Sequence, residues 1–223
     1  MTKMGREAQK SLVKGREALA EHREDIFERK LFFDEVRVTL FSDSLSQGQV
    51  DGMNAMLDAW ERISFFAPQD LRQLAYVLAT DYHETAFTMA PISEYGRGAG
   101  YSYGEPDPTT GETYYGRGLV QLTWADNYKF AGEKIHADLY WQPELALEMP
   151  KAVRVIFRGM AEGWFTGKKL NDYIYGNVCD FVEARRIVNG TDRAETIAGY
   201  ADKFQSALLV ATSTAISDHQ EDE

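Results

Sequence analysis

Between Pro91 and Gly118 this chain cannot run as helix. Prolines at 91, 106 and 108 each remove a backbone donor and clash with the preceding turn. Glycines at 96, 98, 100, 104, 111, 116 and 118 add conformational freedom that a helix would have to freeze out. Tyr, Ser, Thr and Asp fill the gaps, and a short hairpin is expected around Thr109-Thr110-Gly111. Irregular stretches this long are uncommon inside a compact domain, and those that occur are usually functional. The fold must therefore carry one long loop region between two helical blocks.

The flanks read as helix. Ser46-Gln47-Gly48-Gln49 has the form of a capping box, and Val50, Met53, Leu57 and Trp60 follow at helical spacing. Asp70 opens the next helix, with Leu71, Leu74, Ala75, Leu78 and Tyr82 as its buried stripe. That helix delivers His83 and Glu84 near its C-terminal end. Helical pattern resumes at Thr123-Trp124-Ala125-Asp126, then around 151–165, 178–188 and 192–209. In the last of these, Ala194, Ile197, Ala198, Ala201, Phe204 and Leu208 form the apolar face. The class is mainly α. Residues 1–30 read as a charged helical arm with Leu12, Leu19 and Ile26 seven apart, a candidate surface for a protein partner. Residues 31–210 form the compact domain, and residues 211–223 a disordered acidic tail.

Composition removes several functions. A net charge of −11 argues against nucleic acid, whose phosphates need a concentrated basic face. The single cysteine, Cys179, excludes an intrachain disulfide framework and reads as a small core residue. No metal or other cofactor is expected, because the histidines at 22, 83, 136 and 219 are scattered and no HExxH motif occurs. Gly96, Gly98 and Gly100 lack the preceding strand and following Gly-Lys-Ser/Thr of a phosphate loop, and no nucleophile elbow is present. No apolar run approaches the ~18–20 residues of a membrane span. Charges from Lys3 to Lys30 interrupt any signal-peptide core, so a cytoplasmic location is expected.

What remains is carboxylate chemistry. Glu84, Glu94, Glu105 and Glu112 cluster in one part of the chain. Two carboxyl groups suffice to cleave a glycosidic bond, one protonating the leaving oxygen and one activating a nucleophile. Glu84 closes a buried helical stripe, where desolvation favours a protonated acid. Its partner should come from another segment, and spacing alone leaves Glu94, Glu105 and Glu112 open. Aromatic residues crowd between Tyr95 and Trp141, which is where a sugar-stacking surface is expected.

Five segments in order resemble glycoside hydrolase family 19. They are His83-Glu84-Thr85, Glu94-Tyr95-Gly96-Arg97-Gly98, Tyr114-Tyr115-Gly116-Arg117-Gly118-Leu119-Val120-Gln121-Leu122-Thr123-Trp124, Asn127-Tyr128 and Ile187-Val188-Asn189-Gly190. The resemblance implies a lysozyme-like, two-lobed helical domain with a substrate cleft, and an inverting mechanism. It makes Glu84 the general acid and Glu94 the general base, with Glu105 as the alternative base. Thr123 would help hold the attacking water, although it also reads as a helix N-cap. Tyr115, Gln121, Trp124, Asn127, Tyr128 and Asn189 would contact substrate, and Arg117 would be structural. Many members carry an arginine that would fall near Thr196, where this chain has none; Asp192-Arg193 is the nearest substitute. Without disulfide cysteines and with short loops, the chain is more similar to the phage and bacterial branch than to the plant branch. The resemblance implies an endolysin that cleaves β-1,4 bonds of peptidoglycan glycan strands, acting on the cell wall after release from the host bacterial cytoplasm. Alternatives are a chitinase acting on chitin oligomers, a lytic transglycosylase, or a non-catalytic wall-binding or virion structural protein.

Overall fold

A computed structural model describes residues 27–64 and 70–217, and one helix organises them. The helices are α1 (Arg29–Leu40), α2 (Gln47–Ser64), α3 (Leu71–Glu84), α4 (Ala125–Ile135), α5 (Met149–Glu162) and α6 (Ala194–Ser217). Helix α3 is the centre: α6 lies along it, and α2 and α5 also pack on it. The sequence predicts one buried stripe, yet Tyr76, Val77, Ala79, Thr80 and Asp81 are buried as well as Leu74, Ala75, Leu78 and Tyr82. A helix wrapped by neighbours has no solvent face for a 3.6-residue period to reveal. Each fully buried leucine there contributes roughly 1.5–3 kcal/mol, so Leu78→Ala would damage the platform beneath the site.

The caps follow the sequence. Ser46 and Gln49 exchange both capping-box hydrogen bonds, Gln49 N donating to Ser46 Oγ at 3.3 Å and Ser46 N to Gln49 Oε1 at 2.8 Å. Asp70 caps α3 by accepting from Arg72 N at 3.0 Å. The other end of α3 is closed by Ala86 and Phe87 in left-handed conformation, φ 50° and 70°. Thr85 locks that turn, its Oγ1 donating to the Asp81 carbonyl at 2.7 Å and accepting from Met89 N at 3.2 Å. Gly52 on α2 lets this turn approach, since a Cβ there would stand 1.7 Å from the Met89 carbonyl oxygen.

The long loop region is ordered by its own hydrogen bonds. Strands β1 (Ile92–Ser93) and β2 (Arg117–Gly118) pair antiparallel across it, Ile92 opposite Gly118 and Ser93 opposite Arg117. Where a hairpin is expected near Thr109-Thr110-Gly111, a turn forms on Asp107, whose side chain accepts from the amides of Thr109 and Thr110 at 2.9 and 3.0 Å.

Several expectations need correction. Residues 178–188 are not one helix: β3 (Ile174–Tyr175) and β4 (Val178–Cys179) form a hairpin, and a 3₁₀ turn follows over Glu183–Ile187. Cys179 is therefore exposed on β4 rather than in the core. The domain is packed from Phe27 onward rather than from Leu31, with Phe27 fully buried. Disorder from residue 211 is also overturned, because α6 continues to Ser217 and the Ala211 carbonyl accepts from Glu28 N at 3.1 Å. The arm at 1–26, with Leu12, Leu19 and Ile26, and the acidic residues 218–223 lie outside the described residues. Among the described residues, no helix is long and apolar enough to cross a membrane.

Candidate active site

Glu84 is the last residue of α3, where the helix presents a side chain beyond its own buried flank. Its Oε1 accepts from Arg185 Nη1 at 2.6 Å. Arg185 comes from the 3₁₀ turn at Glu183–Ile187 and is itself nearly enclosed, with 4% of its side chain exposed. A second bond, from Arg185 Nε to the Asp192 carbonyl at 3.0 Å, fixes the guanidinium plane. The sequence expects an apolar surrounding for this carboxyl, whereas the structure puts a cation on one oxygen. Glu84 Oε2 has no hydrogen-bond partner among the described residues. Beside the pair, burial pushes the Tyr76 phenol well above its usual value and pulls the His83 imidazole below its own. Asn189 is exposed two residues past the 3₁₀ turn, with its backbone amide donating to Arg185 O at 3.0 Å.

Glu94 belongs to a second cluster. It follows β1 directly, and its amide donates to the Gly116 carbonyl at 2.7 Å, which extends the β1–β2 pairing. Its Oε2 accepts from Gly116 N at 3.1 Å and its Oε1 from Tyr103 Oη at 3.2 Å. Both oxygens accept, as those of an ionised carboxylate do. Gln121 pins the same ladder, its Nε2 reaching the carbonyls of Ile92 and Gly118 at 3.2 Å each. Glu105 has no such anchoring: it is exposed after the 3₁₀ turn at Ser102–Gly104. Glu112 sits half-buried in the Asp107 turn, where its carbonyl accepts from Asp107 N at 2.8 Å.

The expected substrate-contacting residues divide. Gln121, Thr123, Trp124 and Asn127 line up along the approach to α4 and remain accessible. Thr123 is not the N-cap: its Oγ1 donates to the Gln121 carbonyl at 2.8 Å, and Trp124, with φ 77°, holds the capping position. Asn127 Nδ2 donates to the Thr123 carbonyl at 2.9 Å and steadies that corner. Tyr128 needs correction, because it is fully buried and its Oη donates to the Tyr115 carbonyl at 2.8 Å. Tyr115 is nearly as enclosed, with the Arg117 guanidinium 3.6 Å from its ring centre. Both rings support the site from beneath. Arg117 is structural, as the resemblance implies: buried, it donates to Glu144 Oε1 and to the carbonyls of Thr113 and Tyr115.

Arg185 is the residue of this candidate site that sequence reading misses. Its signal is present in Arg185-Arg186, which lies just ahead of Ile187-Val188-Asn189-Gly190 rather than after the Asn-Gly, where the resemblance places an arginine. Among the described residues, no group of three or more His, Cys, Asp or Glu is gathered to hold a metal ion.

The family profile described as chitinase class I, of glycoside hydrolase family 19, matches residues 68–171. Over that range, a little under half of the chain, the sequence is similar to family 19 glycoside hydrolases. Glu84, Glu94, Gln121 and Thr123 all fall inside the matched range, while Arg185 and Asn189 lie beyond it. An acidic endochitinase of Petunia hybrida is 37% identical over 71 residues, 32% of this chain and 27% of that protein. Chitinase 3 of Oryza sativa subsp. japonica is 28% identical over 148 residues, 53% of this chain and 46% of that protein. The chain thus spans less than half the length of the curated relatives it matches. Among solved structures, chitinase C from Streptomyces griseus HUT6037 superposes with a TM-score of 0.58 at 22% identity, covering 85% of this chain and 79% of that one. A class IV family 19 chitinase from Zea mays gives 0.52 at 16% identity, covering 83% and 94%. These likenesses show the mainly helical, lysozyme-like fold.

Proposed function

We propose that this chain is an inverting glycoside hydrolase that cleaves β-1,4 bonds between N-acetylhexosamines. The observation that carries the proposal is the contrast between two carboxyl groups inside the family match. Glu84 sits at a helix end with one oxygen unpartnered among the described residues, and Glu94 is locked as an acceptor on a separate segment. In the reaction, the Glu84 proton passes to the leaving glycosidic oxygen as the C1–O bond breaks. A water attacks C1 from the opposite face and loses its proton to Glu94. Arg185 receives the carboxylate that forms on Glu84, which stabilises the charge developing there. Gln121, bonded to the ladder that Glu94 extends, and Thr123, bonded to the Gln121 carbonyl, supply polar groups for holding the water. Glu94 is favoured over Glu105 as base because only Glu94 is anchored.

Chitin oligomers are one substrate, and the matched relatives are all chitinases by name. Peptidoglycan is the other, acted on after release from a bacterial cytoplasm. An exposed free thiol at Cys179 and the lack of any second cysteine favour that reading, since both suit a reducing compartment. Purified wild-type protein should release reducing sugar from chitin hexamer, from peptidoglycan sacculi, or from both, with α-anomeric ends. A 1,6-anhydro product would replace the inverting reading with a transglycosylase. Equal release by wild type and Glu84→Gln would end the catalytic assignment and leave a binding or structural protein.

A further inference from the structure

The loop from Gly98 to Gly104 carries two tyrosines, and neither gives or takes a proton in the reaction at Glu84 and Glu94. Tyr101 and Tyr103 stack with their planes almost parallel, ring centres 5.1 Å apart at 5°, and Tyr103 meets Trp124 edge-on at 5.2 Å. The three rings form a step that is not core: Tyr101 is 61% exposed and Trp124 50%. The loop is closed tightly on itself. A Cβ on Gly98 would fall 2.6 Å from Gly104 Cα, and one on Gly104 would fall 2.1 Å from the Gly98 carbonyl oxygen. Tyr101 N donates to Gly98 O at 2.9 Å, and the Tyr103 carbonyl accepts from Tyr114 N at 3.0 Å. The rings of Tyr101 and Trp124 are thus held in fixed positions with much of their apolar surface still in water. At the inner end of the step, Tyr103 Oη donates to Glu94 Oε1.

We propose that Tyr101, Tyr103 and Trp124 form a sugar-binding platform for a β-1,4-linked N-acetylhexosamine chain, and that Tyr103 is a positioning residue linking this platform to Glu94. The platform deepens the hydrolase reading and rests on it for the role of Glu94. A pyranose ring with equatorial substituents presents a face of axial C–H groups, which packs on an aromatic ring as aromatic edges do. The outer face of Tyr101 takes one sugar. Tyr103 lies behind it with one face covered and its hydroxyl committed to the carboxylate. Binding at the platform and orientation of Glu94 therefore share one side chain.

Binding is measured without catalysis, on full-length protein carrying Glu84→Gln, by titrating N-acetylglucosamine dimer, tetramer and hexamer calorimetrically. Tyr101→Ala should weaken the hexamer about tenfold and leave the dimer within twofold, and Tyr101→Trp should restore the hexamer. Unchanged hexamer affinity in Tyr101→Ala, or no oligomer binding by the parent, would overturn the platform. In the otherwise wild-type chain, Tyr103→Phe keeps the ring and removes the bond to Glu94, so kcat should fall about tenfold with KM unchanged and an unshifted melting temperature. Parental kcat in Tyr103→Phe, or a loss appearing only in KM, would overturn the positioning role. Hexamer binding by Glu84→Gln together with a wild-type chain that cleaves no glycan would fail the hydrolase reading while leaving the platform intact.

Discussion

The two carboxyl groups are held by opposite structural strategies. Glu84 stands at the end of a long buried helix, and its partner Arg185 arrives from 101 residues downstream. Glu94 stands in irregular chain, and its partners Tyr103 and Gly116 lie 9 and 22 residues away. The helix end gives Glu84 a position fixed by core packing, and the charge beside it is supplied by tertiary contact. The loop gives Glu94 a position fixed by short-range hydrogen bonds to Tyr103 and Gly116 rather than by the packing of a helix. Damage to the core should therefore reach Glu84 first, and damage to the loop should reach Glu94 alone.

The largest expected effect is on chemistry at the helix end. Glu84→Gln should lower kcat by roughly 10³-fold, the middle of the range for a lost general acid, in a reducing-sugar assay with the fold unchanged by circular dichroism. Glu94→Gln should cost roughly 10²-fold in the same assay, and Glu105→Gln should cost nothing measurable. A loss in Glu105→Gln equal to that in Glu94→Gln would reverse the assignment of the base. Arg185→Ala tests whether the two clusters differ in stability. It should destabilise by about 2 kcal/mol in urea unfolding, below the ~3–5 of a fully buried pair because Glu84 keeps some hydration. Tyr103→Phe should shift the unfolding midpoint far less.

The smallest expected effect is a gain. Asp81, one turn before Glu84, is fully buried with neither carboxylate oxygen partnered among the described residues. Burial pushes its carboxyl well above the usual range. The folded state then binds a proton that the unfolded state releases above its ordinary value near 3.8. Stability therefore falls as pH rises from that value toward the folded-state one. Asp81→Asn should remove that slope and stabilise the protein by about 1 kcal/mol at neutral pH, read from unfolding midpoints at pH 4 and 7. A variant with the parental pH slope would show that another group carries it.

Local rules made much of the molecule legible. The capping residues Ser46, Gln49 and Asp70 act through bonds to amides within three residues, so their effect is written in adjacent sequence. The same holds for the non-helical stretch after Pro91 and for the position of Glu84 at a helix end. Misreadings arose where distant contacts override local preference. Ala211 to Ser217 is rich in Thr and Ser, weak helix formers, yet α6 continues through it with Phe27 and Glu28 packed at that end. Tyr128 belongs to a recognisable motif, but burial against Tyr115 and Arg117 makes it a support.

Glu84 itself shows where the boundary runs. The sequence by itself determined that this carboxyl closes a helix and that Glu94 enters a glycine-rich loop, because helix periodicity and glycine content act over a few residues. Only the tertiary structure decided that Arg185 rests on Glu84, that Tyr103 reaches Glu94 and that Asp81 is sealed from water. Those outcomes depend on which segments meet in space, and no local pattern encodes a contact made across 101 residues.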